Sequence, residues 1–150
     1  MTFTHLHVHS EYALADGLVS PSTLASAAQR LGLESIALTD PSNLFGMVKF
    51  QQAAEKAKIK PIFGSHVWIK NQALSQKPHR LILLCQNQQG LQNLMALVSR
   101  SYTEGLQDGI PQLERTWIRA QHQGLIAISN AEDGDIAEAL LADNQALAAT

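Results

Sequence analysis

Cysteine is nearly missing from these 150 residues: Cys85 stands alone within an apolar run. No disulfide can form inside the chain, the thiol reads as a core residue, and a reducing cytoplasm suits it. Charge is sparse as well, at 16% of residues with a net −2, and no Lys or Arg run occurs. A domain that grips nucleic-acid phosphates unaided usually carries a basic stripe, so this segment is a poor candidate for that role. Aromatics make up only 5%, and Trp68 and Trp117 read as packing anchors rather than base-stacking platforms. No basic-then-apolar leader and no apolar run of membrane-span length occurs, which points to a soluble cytoplasmic protein. Glycine-rich phosphate loops of the GxGxxG or GxxxxGK type are absent, which argues against a nucleotide-binding open sheet.

What is present is a globular composition, 45% hydrophobic, on a chain of one-domain length. Strand and helix patterns alternate. "FTHLHVHS" (3–10), "ESIALTD" (34–40), "KPIFGSHVWI" (60–69), "HRLILLCQ" (79–86) and "LIAISN" (125–130) read as strands. The first helix has Ser20 as N-cap, Pro21 at its first position and Gly32 beyond its end, with Leu24, Ala27, Ala28 and Leu31 as its inner stripe. A second helix over 42–60 is expected to turn Leu44, Met47, Val48 and Gln51 inward. A third over 88–102 presents Leu91, Leu94, Met95 and Val98. Residues 71–78 read as a polar loop, and "TEGLQDGIP" as a turn-rich connection. "PQLERTWIRAQHQG" reads as a short helix, and 133–150 as a last one. Such alternation implies a largely parallel α/β sheet, either open and doubly wound or part of a barrel.

In both architectures function gathers at the carboxyl ends of strands. There stand His7, His9, Thr39, Asp40, His66 and Asn130. In "HLHVHS" the histidines share one strand face while Leu6 and Val8 share the other. Two imidazoles at that spacing can share a cation, and Asp16, Asp40, His66 and His79 add ligand types that zinc or manganese accept. The plainer reading is a crowded polar layer; it holds for His5, further from the strand end, and His122 reads as surface.

At "HLHVHSEYALADG" the chain resembles polymerase and histidinol phosphatase (PHP) domains, in the form that opens bacterial replicative DNA polymerase III alpha subunits. "ALTDPSNLFGMVKF", "AAEKAKIKPIFGSHVWI", "HRLILLCQNQQGLQNLMALVSRSY" and "GLIAISN" carry the resemblance along nearly the whole chain. It implies the N-terminal part, about five strands, of a distorted seven-stranded (β/α) barrel that holds up to three metals, so that residues 1–150 are a portion of a single PHP domain with polymerase domains beyond. His7, His9, Asp16 and His79 match ligand positions. Three positions depart from the pattern: Pro41 stands where the family has histidine, His66 where it has glutamate, and Ala131 where it often has cysteine; later ligands fall beyond Thr150. The resemblance therefore implies a vestigial site at His7, His9, Asp16, His66 and His79, without catalytic residues and without a resident cofactor save residual zinc or manganese. It further implies a scaffold that docks the proofreading exonuclease (epsilon) and other replicase subunits. DNA and magnesium would be handled by the parent polymerase. A working metal-dependent phosphoesterase or pyrophosphatase is the alternative, and a stand-alone protein is disfavoured because "LLADNQALAAT" runs on without a cap.

Overall fold

The computed structural model describes residues 3–70, 77–130 and 134–148. Residues 71–76 of the loop expected at 71–78, and Ala131, therefore lie outside the described residues. The chain forms two compact units, 1–65 and 66–150.

In the first unit α1 (Pro21–Arg30) begins as expected: the Ser20 hydroxyl accepts from the Thr23 backbone N–H. After it Gly32 takes a φ of +67°. Strand β1 (Ser35–Leu38) runs parallel to the first part of β2 (Lys60–Ile69), with Ile36 opposite Pro61 and Leu38 opposite Phe63. Helix α2 (Met47–Ala57) packs on α1. Small residues make this approach close: Ala25 and Ala28 of α1 and Ala54 and Ala57 of α2 are buried together with Leu24, Ile36, Leu38, Phe50 and Ile59.

Two expectations change here. The inner stripe of α2 is Phe50, Ala54 and Ala57, while Val48 and Gln51 face outward. Phe50, the largest apolar group on the helix, sets the phase by meeting Phe63 edge to face at 6.3 Å. On α1, Leu31 caps the end and is exposed.

Residues 3–10 are extended but do not form a regular strand. His5 O and Val8 O accept from Ala37 N and Thr39 N, each at 2.9 Å. The Thr39 hydroxyl then takes the Val8 N–H at 2.9 Å, a side chain standing where a ladder partner would be. Leu6 is exposed and Val8 alone supports the core.

In the second unit the sheet order is β4 (Leu106–Gln107), β5 (Ile110–Leu113), the end of β2, β3 (His79–Cys85) and β6 (Leu125–Ser129). The β2–β5 pair is parallel, but β3–β6 and β4–β5 are antiparallel, so the sheet is mixed rather than largely parallel. The turn-rich connection supplies the reason. Asp108 and Gly109, with φ of 51° and 78°, close a tight β4–β5 hairpin that takes up residues 111–113 and shortens the next helix, α4, to Arg115–Ala120.

Helix α3 (Gln88–Thr103), capped by Asn87, buries Gly90, Leu94, Leu97 and Ser101 and leaves Met95 exposed, again a shifted phase. Gly90 sits so near the Gly124 carbonyl that a Cβ would lie 1.8 Å from its oxygen. The last helix is two: α5 (Asp135–Leu141) and α6 (Gln145–Ala148), parted at Asp143 with φ 52°.

Candidate functional site

In the first unit the extended backbone at 5–9 puts His7 and His9 on one side, and their rings meet edge to face at 4.9 Å between centroids. His5 leaves this pair and packs against Phe3 instead. The Nε2 atoms of His7 and His9 are 3.1 Å apart. Asp16 Oδ1 lies 3.2 Å from Nδ1 of His9, across the ring from that pair.

With both rings neutral, one arrangement of protons satisfies these contacts: His9 Nδ1–H donates to the Asp16 carboxylate, His9 Nε2 accepts, and His7 Nε2–H donates.

The loop that carries Asp16 is closed tightly. Gly17 N donates to Ala13 O at 2.7 Å and Glu11 N to Val19 O at 2.9 Å. A Cβ at Gly17 would fall 1.7 Å from the Ser10 carbonyl oxygen, so only glycine permits the closure. Tyr12 braces the loop through its carbonyl, which accepts from Asn43 Nδ2, and its hydroxyl, 2.6 Å from Lys49 Nζ. That hydrogen bond and the pull of Tyr12, aided by Glu11, raise the Lys49 pKa above the ordinary lysine value against an opposing cost of desolvation.

Asp40, a strand-end candidate, is buried beneath the rim instead of standing on it. Its carboxylate accepts from the backbone N–H and the hydroxyl of Ser10, and its carbonyl from Ser65 Oγ. At Pro41 the carbonyl accepts from Asn43 Nδ2 at 2.9 Å.

In the second unit His66 is buried on β2, its ring stacked on Trp68 at 6.0 Å. Arg80 covers Trp68 at 4.6 Å, and Arg100 covers Trp117 at 4.1 Å, so both tryptophans serve packing. His79 opens β3, buried, with Nε2 in a short hydrogen-bond contact with Glu138 Oε2 of α5. Sequence reading missed Glu138, because a contact across 59 residues leaves no spacing signal. His122 is exposed. Cys85, expected in the core, is only half-buried at the end of β3, and that partial burial pushes its thiol up to about 11.

Do these residues suit a cation? Two imidazole nitrogens on one tetrahedral ion, bound at about 2.0–2.1 Å, stand roughly 3.3 Å apart. The 3.1 Å between the Nε2 atoms of His7 and His9 fits that demand. A carboxylate on the far ring nitrogen, as Asp16 provides for His9, is the usual outer support of a ligating histidine. The pair therefore fits zinc or manganese chemistry.

Comparison with known proteins agrees with this architecture. The PHP domain description matches residues 5–150. DNA polymerase III subunit alpha of Pseudomonas aeruginosa is 41% identical over 148 residues, covering 99% of this chain and 13% of that protein. The subunit of the same name from Escherichia coli K12 is 39% identical over 145 residues, or 97% of this chain and 12% of that one. An amidohydrolase structure from Chromobacterium violaceum, with bound sulfate and no metal, superposes with a TM-score of 0.58 at 17% identity, covering 96% of this chain and 74% of the other. That likeness extends to the fold alone. The chain thus spans about one eighth of the length of the curated relatives it matches.

Proposed function

Since this chain belongs to the PHP domain family, we propose that it is the PHP segment of a DNA polymerase III alpha subunit, inactive as a hydrolase, that docks the proofreading exonuclease subunit. The observation that carries this is 41% identity to such a subunit over 148 residues. Its parent polymerase would make the phosphodiester bonds in the cytoplasm, with magnesium held elsewhere in the polypeptide and other replicase subunits assembled around it. DNA would be met by that parent and not by this segment, in keeping with a net charge of −2 and no basic run.

Loss of hydrolysis follows from the ligand set. Pro41 has no side-chain donor, and its carbonyl is engaged by Asn43. His66 is a neutral ligand where a family glutamate would bring negative charge, so it offsets less of the repulsion among neighbouring cations. His7, His9 and Asp16 then remain as the vestige, with His66 and His79 at the other two positions that the resemblance marks.

The test is binding of the full chain to the exonuclease subunit by co-elution, with and without a chelator. A complex that survives chelation supports the scaffold reading. No complex, or one that the chelator abolishes, contradicts it.

One observation favours a second reading, a working metal-dependent phosphoesterase: the convergence of His7 and His9 with Asp16 behind. A bound cation would supply Lewis acidity and an activated water. For this chain's own part, His7 and His9 would hold it through Nε2, and Asp16 would keep the His9 proton on Nδ1. Metal-dependent release of phosphate from p-nitrophenyl phosphate, lost in His9→Ala, would establish this reading over the first.

A further inference from the structure

We propose that Glu138 is a positioning residue for His79, its carboxylate taking the imidazole Nε2–H so that the ring presents its lone pair at Nδ1. The contact is direct, and the His79 side chain is 9% exposed against 32% for Glu138. Two acceptor lone pairs repel at such an approach, so a proton lies between the atoms, and the nitrogen is its carrier.

The helix is aimed for this task. Asp135, one turn earlier on α5, pairs with Arg115 Nη2 at 2.5 Å, and Ala139 is fully buried beside Glu138. Ile136, Leu140 and Leu141 are exposed, so among the described residues the carboxylates of Asp135 and Glu138 and the buried Ala139 are prominent in seating α5. The arrangement repeats what Asp16 does for His9, with the ring nitrogens exchanged: there the carboxylate takes Nδ1 and leaves Nε2. A carboxylate behind an imidazole fixes its tautomer and its rotation. What this means for a cation at His79 rests on the metal-rim reading above; the tie itself does not.

The test uses the metal-free full chain with 15N-labelled histidine, His79 being assigned by its loss in His79→Gln. Long-range correlations from the ring carbon protons read which nitrogen carries hydrogen. Expected is hydrogen on Nε2 in the wild type and in Glu138→Gln, whose amide oxygen still accepts. In Glu138→Met, similar in length but with no oxygen acceptor, the Nε2 proton should exchange with water at least roughly tenfold faster, the effect of one lost charge-assisted hydrogen bond. Hydrogen on Nδ1 in the wild type, or unchanged exchange in a folded Glu138→Met, overturns the proposal; the wild-type spectrum decides even if that variant does not fold. Zinc is then titrated as the probe. A shift at Nδ1 with the Nε2 proton retained supports both readings. No zinc uptake removes the metal-rim reading and leaves the tie standing, whereas zinc replacing the Nε2 proton overturns the tie.

Discussion

Asp40 closes both of its carboxylate oxygens on a single residue: Oδ1 accepts from the Ser10 backbone N–H at 2.6 Å and Oδ2 from the Ser10 hydroxyl at 2.7 Å. Both residues are buried, so this bracket fixes the end of the extended segment immediately after His9. Asp40→Ala strands two buried donors. We expect a loss of about 3 kcal/mol in urea unfolding of the full chain at unchanged slope, with Asp40→Asn losing less because its amide oxygen replaces one acceptor. Equal stability of Asp40→Ala and wild type would show that the bracket does not hold the segment.

Gly17 makes a second, local prediction. A methyl at this position meets the Ser10 carbonyl carbon and oxygen, backbone atoms that cannot swing away. Gly17→Ala should therefore cost about 1–3 kcal/mol, as overpacking does. It should also draw Asp16 from His9, seen as a changed 15N shift at His9 Nδ1. Retention of that shift in the variant would mean that the loop closes by another route.

Cys85 gives a pH dependence. Its native pKa of about 11 lies above the ordinary thiol value of 9.0, so the native state holds the proton more tightly than the unfolded chain. Where the unfolded chain has released a proton and the native one has not, stability falls as pH rises. The contribution is therefore whole below about 9 and is lost as pH climbs toward about 11. At neutral pH the thiol should alkylate roughly a hundredfold more slowly than an unhindered cysteine with a pKa of 9.0, and urea should restore the ordinary rate. Fast labelling of the native protein would contradict the raised thiol pKa.

How much of this could be read from sequence depended on how local each signal was. Ser20, Pro21 and Gly32 announced α1 because capping is decided within one turn. The β2 run and the β3 run had the lengths expected of them, since continuous apolar patterns bounded by polar residues are local as well. Helix phase was read less well. Val48 and Met95 look like stripe residues by hydrophobicity, yet Phe50 in α2 and the close approach of Gly90 to Gly124 in α3 turn those helices by tertiary contact. The β4–β5 hairpin was hidden in two short strands, with Asp108–Gly109 as its only cue.

At the site, the pairing of His7 with His9 followed from backbone alternation. The reach of Asp16 to Nδ1 depended on loop closure at Gly17, and Asp40 was taken inward by Ser10, neither of which composition reveals. Glu138 was out of reach of any spacing argument, because it meets His79 only when α5 packs.

The proposed decay of the metal rim is tested most directly by the metal content of the dialysed full chain, compared between wild type and the double variant Pro41→His, His66→Glu. The account predicts far less than one transition-metal ion per chain for the wild type, a clear gain in the variant with the fold intact, and no phosphate-ester cleavage above background by the wild type. A wild-type chain that keeps a full complement of metal and cleaves phosphate esters would contradict it.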